Sequence, residues 1–395
     1  MGLSVLACGA GSVNSNDMSQ DVISLLQQLV RIPSVNPDNA PPSDQTGEET
    51  IAIFLSGWLE SIGAEVTLQE IKPGRPNLIA RFAPRDGRPR ILLGPHLDTV
   101  GVDGMIIDPF SGEIRDGKIW GRGASDTKGP MAAMLWALHE HQHHLTNSST
   151  AVDFVAFMGE ESGQWGSKDF AKRYGSDYTF ALVGEPTEMQ VVHVTKGSLW
   201  ATLRATGKAA HSSQPERGVN AILKLTRALD QLDHHLGNKL ATFTHPVLGR
   251  STMNVGVIRG GSRPNIVPNL AEAEIDIRIT PALAAAGGAL KLLTEVITSY
   301  DLPLEIINPH ENPPMETSAD HPMIQALLAA DSHTGICGAP WFSDAAHLSN
   351  GGIPSICIGP GSIDQAHTVD EFIDISALQA GAVFFSSFIH QVLKK

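Results

Sequence analysis

The chain has 395 residues, which at roughly 150 residues per domain points to two or three domains. Hydrophobic residues make up 42% and charged residues 18%, near enough to the globular norm of about 45–50% and about 25% to exclude intrinsic disorder. Lys+Arg 28 against Asp+Glu 42 leaves a net charge of −14, and with no basic run the phosphate-neutralising footprint of a nucleic-acid binder is missing.

The N-terminal Val5-Leu6-Ala7-Cys8 superficially matches a lipoprotein cleavage site. No positive region precedes it and its apolar run is too short, so residues 1–17 read as a disordered leader. No stretch approaches the roughly 18 apolar residues of a membrane span, so a soluble protein without a membrane partner is expected. Cys8, Cys337 and Cys357 form no CxxC pair and cannot all be paired. Neither a disulfide framework nor a cysteine zinc site is expected, and a cytoplasmic location is the default.

In chain order, Val22, Ile23, Leu26, Leu29 and Val30 recur at helical spacing before Pro33, predicting a helix over 19–31. A polar loop at 36–46 leads to a second helix over 48–62, ended by Gly63. Four buried strands follow, each running into glycine: 91–93 before Gly-Pro-His96, 152–158 before Gly-Glu160-Glu161, 180–183 before Gly-Glu185, and 356–358 before Gly359-Pro-Gly361. Helical patterns at 128–143, 167–173 and 321–332 alternate with them, as in a mostly parallel sheet with helices on both faces. Ligands bind such sheets beyond the carboxyl ends of the strands. His96, Asp98, Glu160, Glu161 and Glu185 would therefore converge although they lie far apart in sequence.

Between about 198 and 308 the pattern becomes strand (199–206), helix (215–235), two strands (251–259 and 271–279) and an Ala/Leu-rich helix to Tyr300. This is a β-α-β-β-α-β order close to a ferredoxin-like unit, read as an inserted second domain. His139, His141, His143 and His144 cluster at the end of one predicted helix. They read as a solvated helix C-terminus rather than a metal site.

Two histidines and several carboxylates at strand ends are ligand types that suit a borderline or hard divalent ion. Singly, each residue reads as a solvated loop. Together with their neighbours they form an ordered series: Pro95-His96-Leu97-Asp98-Thr99-Val100, Asp108-Pro109-Phe110-Ser111-Gly112, and Gly121-Arg122-Gly123-Ala124-Ser125-Asp126-Thr127-Lys128-Gly129. Then come Glu160-Glu161-Ser162-Gly163, Gly184-Glu185-Pro186-Thr187, Gly207-Lys208-Ala209-Ala210-His211-Ser212-Ser213, Asn265-Ile266-Val267-Pro268 and Ala366-His367. From about residue 19 onward the chain resembles the metal-dependent M20 amidohydrolases, a group that includes acetylornithine deacetylase, succinyl-diaminopimelate desuccinylase, aminoacylase and glutamate carboxypeptidase. Pro95 replaces the glycine that commonly precedes the metal histidine of that group.

The resemblance implies two divalent metal ions, zinc or cobalt. His96, Asp126 and Glu185 would hold one, Asp126, Glu161 and His367 the other, with Asp126 and a hydroxide bridging. It implies that Asp98 accepts the second N–H of His96 and fixes its tautomer, and that Glu160 is the general base. His211 would reach the active site of a partner subunit and stabilise the oxyanion. Asn265 and Arg278 match positions that hold substrate polar groups, although Arg278 in Asp276-Ile277-Arg278 reads equally well as half of a cross-strand ion pair. The Gly359–Gly361 turn offers backbone N–H groups to a substrate carboxylate.

The fold implied is an α/β catalytic domain of 18–197 and 309–395 with an inserted α+β ferredoxin-like lid and dimerisation domain of 198–308, assembled as a homodimer. The activity implied is removal of an N-acyl group from an amino acid, most like acetylornithine deacetylase in the run 359–367. Glu rather than Asp at 185 goes with deacylases and carboxypeptidases more than with aminopeptidases. Desuccinylase and aminoacylase activities, a dipeptidase or glutamate carboxypeptidase, and a non-catalytic module of the same fold are the alternatives.

Overall fold

The computed structural model describes residues 21–330 and 332–394; the leader at 1–17, with Cys8, lies outside the described residues. The chain divides into two compact units, Met1–Arg88 with Pro95–Gly163 and Gly359–Lys395, and Pro89–Gly94 with Gln164–Ile358.

In the first unit the expected opening helix is Val22–Arg31, capped by Asp21, whose carboxylate accepts from Ser24 N at 2.7 Å. Its buried stripe is Val22, Leu25, Leu26, Leu29 and Val30, the face that the 3.6-residue period selects. The second helix is Glu49–Ser61, buried through Ile51, Ala52, Leu55, Trp58 and Leu59. A hairpin of Glu65–Lys72 and Arg75–Arg81 follows, and Arg75–Arg81 also pairs antiparallel with Ala151–Ala156. The sequence reading had not picked out this hairpin.

Helix Lys128–His141 is buried for most of its length, and the C-terminal helix Ile375–Leu393 packs along it. By length and composition the C-terminal helix is apolar enough to cross a membrane. Its apolar residues Leu378, Phe384, Phe385, Phe388 and Ile389 are buried inside this unit, so the helix reads as a core element. Three short strands, Glu113–Arg115, Lys118–Trp120 and Phe372–Asp374, form a small antiparallel sheet.

In the second unit the strands Arg90–Leu93, Phe180–Val183 and Ser355–Cys357 lie side by side and parallel, with Ile91 opposite Phe180 and Ser355 opposite Ala181. All three are buried throughout, as expected for parallel strands covered on both faces. Val191–Thr195 continues the sheet antiparallel to Ser355–Cys357 and parallel to Ile336–Ala339. The fold is a mixed α/β one: parallel at this centre, antiparallel at the hairpin of the first unit and beside Val191–Thr195.

The same unit carries a four-stranded antiparallel sheet in the order Thr252–Gly260, Leu270–Ile279, Gly197–Thr206, Glu305–Asn312. Helices Ala221–Leu240 and Ala289–Ser299 cover it through Leu232, Leu236, Leu293 and Val296, which meet Leu199, Leu203, Ile275 and Ile277. Element order and strand order together match the ferredoxin-like arrangement expected from the sequence. The first helix starts later than expected because Pro215–Arg217 is a separate turn and Asn220 supplies the cap, accepting from Leu223 N at 3.1 Å.

Candidate metal centre

His96 leaves the first unit's core in strand-like register, since Phe157 N donates to Pro95 O at 2.9 Å and Leu97 N to Phe157 O at 2.7 Å. The imidazole is buried, with Nδ1 2.9 Å from Asp98 O and Nε2 3.1 Å from Asp126 Oδ1. The Asp98 carboxylate, expected to fix the His96 tautomer, lies 3.6 Å from Nδ1, and the backbone carbonyl of the same residue lies nearer.

The carboxylate of Asp98 has further partners. It accepts from Glu160 N at 3.0 Å, Glu161 N at 3.0 Å and Asn36 Nδ2 at 2.7 Å. Asp98 therefore clamps the backbone of the two-glutamate turn that follows Gly159, a residue at φ +73° where only glycine turns at no steric cost. Burial opposes its ionisation, but His96 and these donors hold its pKa below the ordinary carboxylate value.

Asp126 sits at a cis peptide bond to Thr127 in the loop 121–127. The loop is organised by Glu371, which is fully buried. One oxygen of Glu371 accepts from Ser125 N at 2.9 Å and Asp126 N at 3.0 Å, the other from Gly123 N at 3.1 Å and Arg122 Nη1 at 2.6 Å. Arg122 also donates to Thr368 O at 3.1 Å. The loops bearing Asp126 and His367 are thus tied together through a single carboxylate and a single guanidinium. His367 holds the left-handed backbone at φ +63°, a conformation that non-glycine residues keep only where surroundings enforce it.

The His367 imidazole Nε2 lies 3.0 Å from Glu161 Oε2 and 3.5 Å from Asp126 Oδ2. Ligand atoms of His96, Asp126 and Glu161 all lie within 4.8 Å of one another. The electrostatics of this cluster ask for a cation. Hydrogen bonds to Asp126 and Glu161 push His367 up to about 10. Burial disfavours the imidazolium of His96, yet Asp126 and Asp98 hold its pKa well above 6.5. Burial, then the Asp126 charge, raises Glu161 to about 6. The carboxylates favour positive charge on the imidazoles; a divalent ion would answer them with the imidazoles neutral. Glu161 Oε1 is buried and without a hydrogen-bond partner among the described residues, which a ligating oxygen explains. The donor set of imidazole and carboxylate fits zinc or a similar ion.

Of the other residues singled out from the sequence, Glu160 is half-buried beside Glu161 on the clamped turn. Glu185 is buried after Phe180–Val183, in the second unit. His211 and Asn265 are exposed and brought together there, because Ala210–His211 pairs with Ile266–Val267 and Ser212 N donates to Asn265 O at 3.1 Å. Arg278 lies on the Leu270–Ile279 strand with Nη2 2.8 Å from Asp276 Oδ2, an ion pair within one strand where a cross-strand pair was the expectation. Gly359 and Gly361 belong to the first unit; Gly361 has φ +93°, and Ser125 Oγ donates to Ser362 O at 3.1 Å, joining that turn to the Asp126 loop. Sequence reasoning missed Glu371, Asn36 and the buried Lys128, whose ammonium donates to Ile32 O at 2.7 Å and whose pKa burial lowers to about 7. Lys128 stands within the 121–129 motif without a role assigned to it, and no motif marks Glu371 or Asn36.

The model of peptidase family M20/M25/M40 matches residues 92–391. The chain is similar to the acetylornithine deacetylase of Proteus mirabilis (strain HI4320), 33% identical over 378 residues, 90% of this chain and 93% of that protein. Its structure is similar to that of an M20 family metallo-carboxypeptidase from Sulfolobus solfataricus, with TM-score 0.81 at 18% identity over 95% of this chain and 100% of that one. It is also similar to a dinuclear metal binding peptidase of the M20 family from Bacillus subtilis, with TM-score 0.64 at 14% identity over 94% and 98%. The chain belongs to peptidase family M20/M25/M40 and is a hydrolase of amide bonds.

Proposed function

We propose that the protein removes an acetyl group from the nitrogen of an amino acid, with N-acetylornithine as the substrate to try first. The observation that carries this reading is the 33% identity over 90% of the chain to a relative named acetylornithine deacetylase, alongside an imidazole–carboxylate cluster suited to metal. His96, Asp126 and Glu185 are proposed as ligands of one divalent ion, and Asp126, Glu161 and His367 of a second; zinc is the first choice and cobalt the second. Two such ions supply Lewis acidity and lower the pKa of water enough for attack at neutral pH.

Glu160 is proposed as the general base. It takes a proton from the attacking water and returns it to the leaving amine, with its backbone held by Asp98 so that its carboxylate stays beside Glu161. Asp98 is a positioning residue, acting through the Glu160–Glu161 backbone and the His96 ring. Residues 198–308 are proposed as a lid and dimerisation domain, supported by the self-contained four-stranded sheet. The exposed His211, supplied to a partner protomer's site, would stabilise the oxyanion, Asn265 beside it would hold substrate polar groups, and the Gly359–Gly361 turn would offer N–H groups to the substrate carboxylate. Arg278 is a weaker candidate for substrate contact because Asp276 already pairs with it. A cytoplasmic location fits this reading.

The test is release of free amine from N-acetylornithine, N-succinyl amino acids and dipeptides by chelator-treated protein with zinc or cobalt restored. Metal-dependent cleavage of the acetyl compound supports the reading. Cleavage of dipeptides alone replaces deacylase by peptidase.

A further inference from the structure

The helices Lys128–His141 and Ile375–Leu393 begin close together, since a Cβ on Gly129 would meet Ile373 Cδ1 at 2.8 Å. They pack along each other and also end together. There the rings of His141 and His390 lie 5.7 Å apart between centroids, tilted by 37°. A cavity of about 350 Å³ opens at these ends, lined by the four histidines His141, His143, His144 and His390 and by Asn147, Ser148, Leu393 and Lys394. The sequence reading took these histidines as a solvated helix end. It could not foresee that His390, some 250 residues later in the chain, joins them in one pocket.

The chemistry of the lining is selective. Among the described lining residues stand four imidazoles, one ammonium and no carboxylate, and the imidazoles suit a borderline transition metal rather than calcium or magnesium, which require oxygen ligands. Two helix C-termini meet here, and each turns its partly negative carbonyl end toward the pocket, which favours a cation. His141 Nε2 lies 3.0 Å from Ser386 Oγ; that contact fixes the ring and leaves Nδ1 for a metal, as outer partners of metal histidines commonly do. His143, His144 and His390 are exposed and free to turn their rings toward a shared ion. Helix Lys128–His141 has 14 residues, so at a rise of about 1.5 Å each the pocket lies roughly 20 Å from the Asp126 loop, too far to share an ion with His96 or His367.

We propose that this pocket binds one borderline divalent transition-metal ion, such as nickel, copper or zinc, through His141 and His390 completed by His143 or His144, separately from the Asp126 cluster. Untagged holoenzyme would be dialysed against nickel(II) at increasing concentration and its metal content counted. One equivalent beyond the resident metals is expected, with micromolar affinity. The double variant His141→Ala/His390→Ala should bind that equivalent at least tenfold more weakly while keeping the resident metals. Copper(II) placed in the same site should show nitrogen hyperfine coupling from imidazole in its electron paramagnetic resonance spectrum. If the double variant unfolds, the exposed single variant His390→Asn serves, with the same weakening expected. An extra equivalent that survives these substitutions, or none bound by the unaltered protein at about 100 micromolar nickel, overturns the proposal.

Discussion

Two regions carry the residues expected to act on substrate, and they are held in opposite ways. Around Asp126, His96 and His367 nearly every backbone amide that matters has a buried acceptor: Asp98 takes those of Glu160 and Glu161, and Glu371 takes those of Gly123, Ser125 and Asp126. Around His211 and Asn265 the pairing is two residues long, the side chains are exposed, and the ring Nδ1 is met by a near neighbour, Ser213, whose Oγ lies 2.8 Å and whose N lies 3.2 Å away. The first region is built in advance, because charge placed in a dry site stabilises a reaction only if its geometry is fixed beforehand. The second is an exposed pair held by local contacts.

This contrast can be broken or sharpened by substitution. His96→Ala should have the largest effect, abolishing turnover together with metal content, as read by amine release and metal analysis. Glu160→Gln should lower kcat by about 10²–10⁴-fold while metal content stays at the unaltered level; loss of metal would place Glu160 among the ligands instead. His211→Ala should lower kcat by about 10²–10³-fold, the typical worth of one oxyanion donor, with thermal unfolding and metal content unchanged. An unchanged kcat would remove the second region from the chemistry.

Glu371→Gln probes the first region without touching a ligand. Its amide can no longer accept from all four donors, so metal affinity should fall by about 10–100-fold, as for other outer-shell changes, and the metal-free protein should lose about 3–5 kcal/mol of stability as a buried ion pair is broken. Competition with a graded chelator and thermal unfolding read the two effects separately.

The smallest effect concerns His347, buried on the helix Asp344–Asn350 with Nε2 lacking a hydrogen-bond partner among the described residues. Burial, then the Lys168 charge, depresses its pKa from 6.5 to about 3. The unfolded chain takes up a proton below pH 6.5 that the folded protein refuses. The contribution of this group to stability is therefore complete above pH 6.5 and lost as pH falls toward 3. In His347→Phe the slope of urea midpoint against pH between 6.5 and 5 should flatten.

Much of this was legible in the sequence because strand–glycine–polar junctions are local. The runs ending at His96, Glu160-Glu161 and Glu185 could be read without tertiary knowledge, and so could the alternation that makes the four-stranded sheet. What escaped depends on contacts across long separations. Glu371 matters only because four donors from 122–126 point at it, and a lone glutamate in a loop gives no sign of that. For Asp98 the structure adds what no motif shows, since its carboxylate also accepts from the backbone of Glu160 and Glu161, some 60 residues away. His390 shows the same limit, since a helix-end histidine means nothing until another helix end meets it.

The central claim is that amide hydrolysis here depends on metal held by the His96–Asp126–Glu161–His367 cluster. The most direct measurement strips the protein with chelator and adds zinc in counted equivalents while following deacetylation of N-acetylornithine. The account expects no turnover in the stripped protein and recovery complete by two equivalents. Turnover persisting in protein shown to be free of metal would contradict it.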